Sequence, residues 1–382
     1  MPSEPLTASG ILPDIHLRKA IEAGHISADP YRIGSGSVQP ASLDLTLGPR
    51  AHRLRCSFLP DAKTVADKLA EHSMGEFDLR DGAILERNRP YLIPLRERLS
   101  LPPGVRAKAN PKSSTGRLDI FTRVITDRSF RFDEIAAGYE GGLWLEVVSR
   151  SFTVRVQEGL SLNQLRLVVG ESRVSDAEIR AIHIDQPLLF VDEDPVGEGD
   201  IAVADGLFMS LDLRKRATGE AVGYRAKKNS RLLDLAGLER HDPDLFWEPV
   251  VPEREDRLVL EPEEFYLLLS AEAVSVPPGY AAEMTAYDPT SGELRTHYAG
   301  FFDPGFGYDR AGTLRGSRAT LEVRAHDVPF MVEHRQPVCK LSFDRMLEPP
   351  HTLYGAEIGS HYQSQRVTLS KHFHRSGASS ST

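Results

Sequence analysis

The chain has 382 residues, of which 40% are apolar, and its 55 acidic and 46 basic side chains leave a net charge of −9. This length and apolar content suffice for two globular domains, each with a core of its own. The acidic balance excludes a broad surface for nucleic acid, because binding a polyanion requires a basic face. No run approaches the roughly 20 apolar residues of a membrane span, and the N-terminus lacks the features of a signal peptide. We therefore expect a cytoplasmic protein that associates with neither nucleic acid nor membrane.

Helices are predicted to be few and peripheral. The first, in "DIHLRKAIEAG", has Asp14 as its cap, an apolar face and Gly24 as its stop. Another, in "SDAEIRAIH", opens with a capping box that runs from Ser175 to Glu178. Strand signals dominate the remainder, because "ASLDLTLG", "YLIPL", "LWLEVV" and "FTVRVQ" alternate apolar and other residues between turns such as "LPPG". The pattern predicts a mainly β protein built as a compact barrel or sandwich.

The sequence also repeats itself. "PASLDLTLG" at Ser42 returns as "LFMSLDLRK" at Ser210, "SLPPG" returns as "SVPPG", and "NPKSSTGR" returns as "DPTSGELR", in the same order and at offsets of 168 to 178 residues. An ordered set of matches at one spacing indicates a duplicated module. We expect one module at 1–195 and a second at 200–382, joined by the acidic, Gly- and Pro-rich segment 192–200.

Polar side chains lie among the predicted strands of the first half. In "LWLEVV" the period of two puts Glu146 on one face with Trp144 and Val148, so burial is expected to raise its pKa unless a cation lies nearby. Arg117, in the preceding motif, is the candidate cation. A carboxylate in such a place is suited to proton transfer. A purely structural Arg–Glu ion pair is the alternative.

Two serines accompany this pair. Ser113 and Ser114 lie in "NPKSSTGR", where serine beside proline and glycine often serves only to form a turn. The second half repeats the set as Ser291, Arg295 and Glu322 at nearly the same spacing. That repetition favours a functional role for the serines.

Motifs for zinc and for common nucleotide sites are missing from the sequence. No CxxC occurs, and no HxE is followed by paired cysteines, so the ligands for a zinc-activated water are not present. Walker, GxGxxG and GxSxG motifs are also missing. Cys56 and Cys339 are far apart in sequence and indicate reduced thiols.

Four segments, "QPASLDLTLG", "KSSTGR", "GYEGGLWLE" and "YGAEIGSHYQSQRVTLSKHF", resemble motifs of the dCTP deaminase family, relatives of the trimeric dUTPases. The resemblance covers nearly the whole chain, once in each half, as in the long tandem form found in some bacteria. It implies two dUTPase-like distorted β-barrel or jelly-roll modules that deaminate dCTP hydrolytically to dUTP and ammonia without zinc. It further implies Mg²⁺ carried by the triphosphate, a homo-oligomer, and dTTP as a feedback inhibitor.

Carried over by motif, the resemblance assigns roles to the first-half residues. Glu146 is expected to be the general acid/base, Ser113 to position the water, and Arg117 to keep the glutamate charged and orient the ring. Lys112 and Ser114 are expected to contact phosphate.

Further substrate contacts are expected outside these motifs. They come from Asp133 and from the closing tail through Tyr354, His361 and Gln365, although His361 stands where a lysine is common in the family.

The two halves depart from the family pattern in different ways. The second half has Thr290 in place of the lysine and Gly292 in place of the second serine. We therefore expect its set of Ser291, Arg295 and Glu322 to be degenerate, and the first-half catalytic residues to be closed by the second-half tail. A dUTPase, a bifunctional enzyme that releases dUMP, and a non-catalytic nucleotide-binding module are the alternative functions.

Overall fold

The protein is described by a computed structural model over residues 9–214, 221–286, 294–296, 300–311, 313–325, 327–355 and 369–374, with 286 and 294–296 described by their backbone alone. As expected, the described chain is mainly β. Within these ranges, no helix combines the length and apolar character needed to cross a bilayer.

In the described part of the chain, four α-helices lie at the periphery of the strands or between them: α1 Asp14–Glu22, α2 Val65–His72, α3 Ser113–Gly116 and α4 Asp176–Asp185. The capping box of α4 is confirmed, because Ser175 and Glu178 exchange both side-chain-to-backbone hydrogen bonds. In α1, Pro13 occupies the cap position that was expected for Asp14. Asp14 is instead the first helical residue, and its carboxylate accepts hydrogen bonds from the backbone N–H groups of His351 and Thr352.

The strands of the first half form two main sheets and one small one. They are β1 Gly10–Ile11, β2 Ile26–Ser27, β3 Leu43–Leu45, β4 Arg50–Leu54, β5 Ser73–Asp78, β6 Ala83–Leu85, β7 Tyr91–Ser100, β8 Val105–Pro111, β9 Ile120–Ile125, β10 Glu134–Ile135, β11 Glu140–Ser149, β12 Val154–Val156 and β13 Asn163–Val169. One sheet has the order β5-β4-β7-β11-β9, and the other has the order β1-β13-β8-β10.

The second half repeats this arrangement. Its strands are β14 Leu189–Val191, β15 Asp194–Pro195, β16 Leu207–Ser210, β17 Gly223–Ala226, β18 Leu233–Asp234, β19 Trp247–Val250, β20 Arg257–Leu260, β21 Phe265–Val274, β22 Tyr280–Ala286, β23 Leu294–Thr296, β24 Phe301–Phe302, β25 Ser317–Ala325, β26 Phe330–Glu333 and β27 Pro337–Arg345. The sheet β15-β14-β21-β17-β19 also carries β25 and β23, and the second sheet has the order β16-β27-β22-β24.

The two glutamates of interest occupy equivalent places in these sheets. Glu146 on β11 lies opposite Leu92 of the long strand β7. Glu322 on β25 lies opposite Leu267 of the equally long strand β21. Any difference between their surroundings must therefore come from what covers the sheet.

The described residues form two large apolar cores, one for each half, but the boundary between the cores is not at the expected linker. Val174, Ile179 and Leu188 already belong to the second core. We therefore infer that the module boundary lies before Val174, and that the segment 192–200 is not the linker. In the opposite direction, second-half residues on β19, β21 and the tail join the first core.

The halves are packed directly on each other. Strand β18 of the second half pairs in parallel with β12 of the first. The ring of Phe152 lies edge-on to Phe246 and Trp247, with centroids 5.7 and 5.3 Å apart. A buried ion pair joins Arg166 to Asp303 at 2.8 Å. These contacts place first-half elements against second-half strands, and they thereby determine which residues of the two halves meet at the site.

Candidate functional site

The serine and arginine of the first half are presented by the short helix α3. Its preceding residue, Lys112, accepts hydrogen bonds at its carbonyl from the N–H groups of Thr115 and Gly116, at 2.8 and 3.0 Å. The Lys112 ammonium pairs with Asp44, and burial raises the pKa of this carboxyl while Lys112 opposes the rise. Ser113 is the half-buried first residue of the helix.

The carboxylate that meets α3 comes from the second half. An ideal Cβ built on Gly116 lies 2.5 and 2.7 Å from the two carboxylate oxygens of Glu322, so only glycine leaves room for this approach. Glu322 is buried, and burial raises its pKa well above the usual range. Arg117 lowers the pKa and Asp119 raises it further. Arg117 of the first half and Glu322 of the second half are therefore neighbours here, and Ser113 begins the helix that brings them together.

The end of the tail lies on the same helix. Arg117 Nη1 donates to the carbonyl of Leu369 at 3.4 Å, and the Ser370 hydroxyl donates to the carbonyl of Ser114 at 2.9 Å. Ser370 Oγ is also 2.9 Å from His372 Nδ1. Burial and the neighbouring charge of Lys371 lower the pKa of His372 to about 4, which keeps its ring neutral near pH 7.

Aromatic packing anchors this segment. The Phe373 ring lies 5.5 and 5.9 Å, centroid to centroid, from the rings of Phe246 and Trp247. The N–H groups of Glu239 and Arg240 each donate at 3.0 Å to tail carbonyls. The segment 369–374 is thus held both by a second-half loop and by α3.

A cavity of about 180 Å³ lies between α3, the loop before β13, the 235–238 segment and the tail. Its polar lining consists of Lys112, Ser114, Thr115, Ser161, Lys371 and His372. Burial, and then the positive charge of Lys112, lower the pKa of Lys371. Asp44, which pairs with Lys112, opposes this shift. Two lysines beside a single carboxylate leave an excess of positive charge here, which suits a phosphate group.

Glu146 has different partners. Its Oε2 accepts hydrogen bonds from Arg123 Nε at 2.9 Å and Nη2 at 2.5 Å. Its Oε1 is buried and has no hydrogen-bond partner among the described residues. The Arg123 guanidinium is stacked 3.6 Å from the ring centroid of Phe132. The pairing of Glu146 with Arg117 was therefore wrong, because Arg123 stands directly opposite Glu146 on β9.

What covers each sheet face explains this difference. In the first half, Phe58 and the α2 residues Val65 and Leu69 pack over the face that carries Leu92 and Ile125 beside Glu146. In the second half, α3 of the first half lies against the equivalent face. The position of Glu146 is therefore covered by residues of its own module, whereas the equivalent position of Glu322 is covered by a helix of the other module.

Two other predicted residues are described in full. Asp133 is half-buried, accepts a hydrogen bond from the Val124 N–H at 2.8 Å, and has its pKa raised by burial to about 7. Tyr354 donates its backbone N–H to Pro304 at 2.8 Å, and its ring lies 5.7 Å from that of Phe306. These contacts place Asp133 beside β9, and Tyr354 against the turn that follows β24.

Ser291, His361 and Gln365 lie outside the described residues, and Arg295 is described only as a backbone position of β23 opposite Arg324. Sequence reasoning missed Gly116 and the tail residues from 369 onwards. The repeat aligned Glu146 with Glu322, but it carried no signal for which helix each glutamate would meet.

Fold and site together define a protein of the dUTPase-like fold, in which residues from two modules meet around one pocket. The profile of the 2'-deoxycytidine 5'-triphosphate deaminase N-terminal domain matches residues 8–171, and that of the C-terminal domain matches residues 175–373. The chain belongs to the dCTP deaminase family. The first matched range ends at 171 and the second begins at 175, so the gap between them contains Val174, where the second core begins.

Similar proteins carry the same description. A crystal structure of 2'-deoxycytidine 5'-triphosphate deaminase from Agrobacterium tumefaciens matches with a TM-score of 0.85 and 45% identity, covering 92% of this chain and 100% of that one. The "dCTP deaminase, dUMP-forming" of Methanothermobacter thermautotrophicus is 31% identical over 140 residues, which are 36% of this chain and 67% of that protein. The "dCTP deaminase" of Natronomonas pharaonis is 25% identical over 158 residues, 41% of this chain and 78% of that one.

Proposed function

We propose that the chain deaminates dCTP hydrolytically at one composite site, with Glu322 as the general acid/base. The contact of the Glu322 carboxylate with Gly116, beside Arg117, is the observation that supports this assignment. The names of the similar proteins support the substrate. Glu146 was expected in this role, and we now assign it a structural one.

The chemistry requires one group that accepts a proton and later returns it. The ionised Glu322 takes a proton from water, and the resulting hydroxide attacks the cytosine carbon that bears the amino group. The carboxyl then gives the proton to the amino nitrogen, which leaves as ammonia. A glutamate whose pKa is raised towards neutrality is suited to both steps, and such catalysis contributes about 10²- to 10⁴-fold in rate. Burial supplies this rise for Glu322.

The neighbouring residues take roles that follow from their charge and position. Arg117 opposes the rise in the Glu322 pKa and so favours the ionised form of the carboxylate. Ser113, half-buried at the start of α3, positions the attacking water. Lys112 and Ser114 line the cavity that suits phosphate, and the tail segment excludes bulk water. Mg²⁺ enters as part of the substrate, bound to the triphosphate.

A pair of matched variants tests the assignment. Glu322→Gln and Glu146→Gln remove the same ionisable group from equivalent strand positions, and ammonia release and dCTP binding are measured for both. We expect Glu322→Gln to lose at least about 10²-fold in kcat while it still binds dCTP. Glu146→Gln is expected to retain turnover and to lose stability, because the half-buried Arg123 would lose the carboxylate charge that it binds.

Loss of activity in Glu146→Gln with turnover retained in Glu322→Gln would contradict the proposal. Unchanged dCTP with measurable binding in the wild-type protein would instead indicate a nucleotide-binding module.

The product is a separate question. We propose dUTP, as the resemblance implies, and the second candidate is a dUMP-forming enzyme, which is favoured by the names of several relatives. Separating the nucleotide products after incubation with dCTP distinguishes the two. Stoichiometric dUTP and ammonia support the first, whereas dUMP and pyrophosphate that appear without free dUTP support the second.

A further inference from the structure

A buried ion pair crosses between the halves beside Glu322. Arg324 follows Glu322 by two residues on β25, so both side chains leave the same face of the strand. The Arg324 guanidinium reaches Asp119, which lies just beyond α3 in the first half. Asp119 is fully buried and also accepts a hydrogen bond from the Ser151 hydroxyl at 2.5 Å.

The pair lies alongside the contact that forms the site. Gly116 meets Glu322, and three residues later Asp119 meets Arg324, so α3 and β25 are joined at two successive points. Arg324 is itself held in place, because its Nη1 donates to the carbonyl of Glu263 and lies 3.7 Å from that residue's carboxylate. Because the Arg324 guanidinium binds both Glu263 and Asp119, this side chain can fix the position of the segment after α3 relative to β25.

The charges around Glu322 give the pair an electrostatic consequence. From the first half, Arg117 lowers the Glu322 pKa and Asp119 raises it. Strand β21 presents the apolar Leu267 opposite, the tail presents backbone carbonyls, and β23 is described by its backbone alone. The Asp119 charge is therefore the unfavourable one near the carboxylate, and Arg324 is its direct partner.

We propose that Arg324 is a positioning residue of the active site: by binding Asp119 it holds α3 in register with Glu322 and compensates the Asp119 charge, which faces that carboxylate. The inference rests on the proposed role of Glu322. In the first half the equivalent position is Val148, so the pair belongs to only one of the two sheet faces.

The pH dependence of kcat/KM tests this proposal, because a merely structural ion pair would not move it. The variants are Arg324→Met, Arg324→Lys, Asp119→Asn and the double variant of Asp119→Asn with Arg324→Met. Arg318→Met is the matched control, since Arg318 lies on the same strand and also binds a buried carboxylate, Asp212, within the second half. Circular dichroism and dCTP binding confirm that each variant is folded.

We expect Arg324→Met to move the acidic limb of the profile up by about one pH unit, because without Arg324 the Asp119 charge raises the Glu322 pKa further. Turnover at pH 7 should fall by about 10- to 100-fold. Arg324→Lys should restore part of the loss, and the double variant should return the limb to near its wild-type position. Asp119→Asn alone should move the limb to lower pH, and Arg318→Met should leave it in place.

The outcomes separate the two proposals. If Glu322→Gln is active, the function assigned to Glu322 fails. If Glu322→Gln is inactive but the limb stays in place in both Arg324→Met and Asp119→Asn, only the role of Arg324 is overturned. Should Arg324→Met not fold, the direction of the shift in Asp119→Asn decides the matter.

Discussion

Substituting alanine for Gly116 changes the site by one methyl group at the point where the halves meet. The new Cβ would lie 2.5 Å from Glu322 Oε2 and 2.8 Å from Cδ, whereas ordinary van der Waals contact begins near 3.4 Å. The carboxylate must therefore retreat by about 1 Å. Gly116 is helical, so the substitution introduces no backbone strain.

A displacement of this size has a predictable effect on rate. Misplacing a catalytic group by about 1 Å costs about 10²-fold, so we expect Gly116→Ala to reduce kcat by about that factor. Inserting a methyl into a packed boundary also costs roughly 1–3 kcal/mol of stability. A thermal melt and a dCTP-binding measurement separate this general loss from the specific one.

Gly75→Ala is the matched control, because a Cβ at that exposed strand position meets nothing within 4 Å. Steady-state ammonia release should be unchanged in this variant. A folded Gly116→Ala protein that turns over within two- to three-fold of wild type would refute the reasoning. It would show that the carboxylate touching α3 takes no part in the reaction.

Three further outcomes are expected. Glu322→Gln should raise the melting temperature at pH 8, because the folded-state pKa of Glu322 is raised. The contribution of such a carboxyl to stability is full below the ordinary glutamate pKa and is lost as the pH rises through the folded-state pKa. The loss is about 1.4 kcal/mol for each unit by which the folded-state pKa exceeds the unfolded-state pKa. Near pH 4 the advantage of the variant should vanish. Phe373→Ala should lower the free energy of unfolding by about 3–5 kcal/mol and weaken dCTP binding, because it removes the ring that anchors the tail between Phe246 and Trp247. A zinc-selective chelator with excess Mg²⁺ should leave ammonia release intact, since the zinc motifs are missing from the sequence, and a loss that added zinc reverses would contradict this.

The local features of the fold were predictable from the sequence. Alternation with a period of two is a property of each strand, and the capping box at Ser175 and Glu178 needs only four residues of chain. The cap of α1 was misplaced by one residue because Pro13, already in extended conformation, precedes the helix. Asp14 at the next position was free to bind backbone N–H groups near residue 351.

The partner of each glutamate was not predictable in this way. The repeat makes Glu146 and Glu322 equivalent, and the choice between them depends on which element covers the sheet. That choice follows from a helix inserted after β4 in the first half and from the docking of α3 in the second, both tertiary contacts. The sequence did contain one indication. Arg324 shares a strand face with Glu322, and two charged side chains on one face indicate that this face contacts further polar groups.

Both walls of the pocket belong to a single polypeptide, since α3 comes from the first half and Glu322 with the 369–374 segment from the second. A pocket formed between separate chains comes apart when the protein is diluted below its dissociation constant. When the two parts belong to one chain, each experiences the other at an effective concentration on the order of millimolar for short linkers, whatever the concentration of the protein. Turnover per chain is therefore expected to be the same at nanomolar and micromolar enzyme.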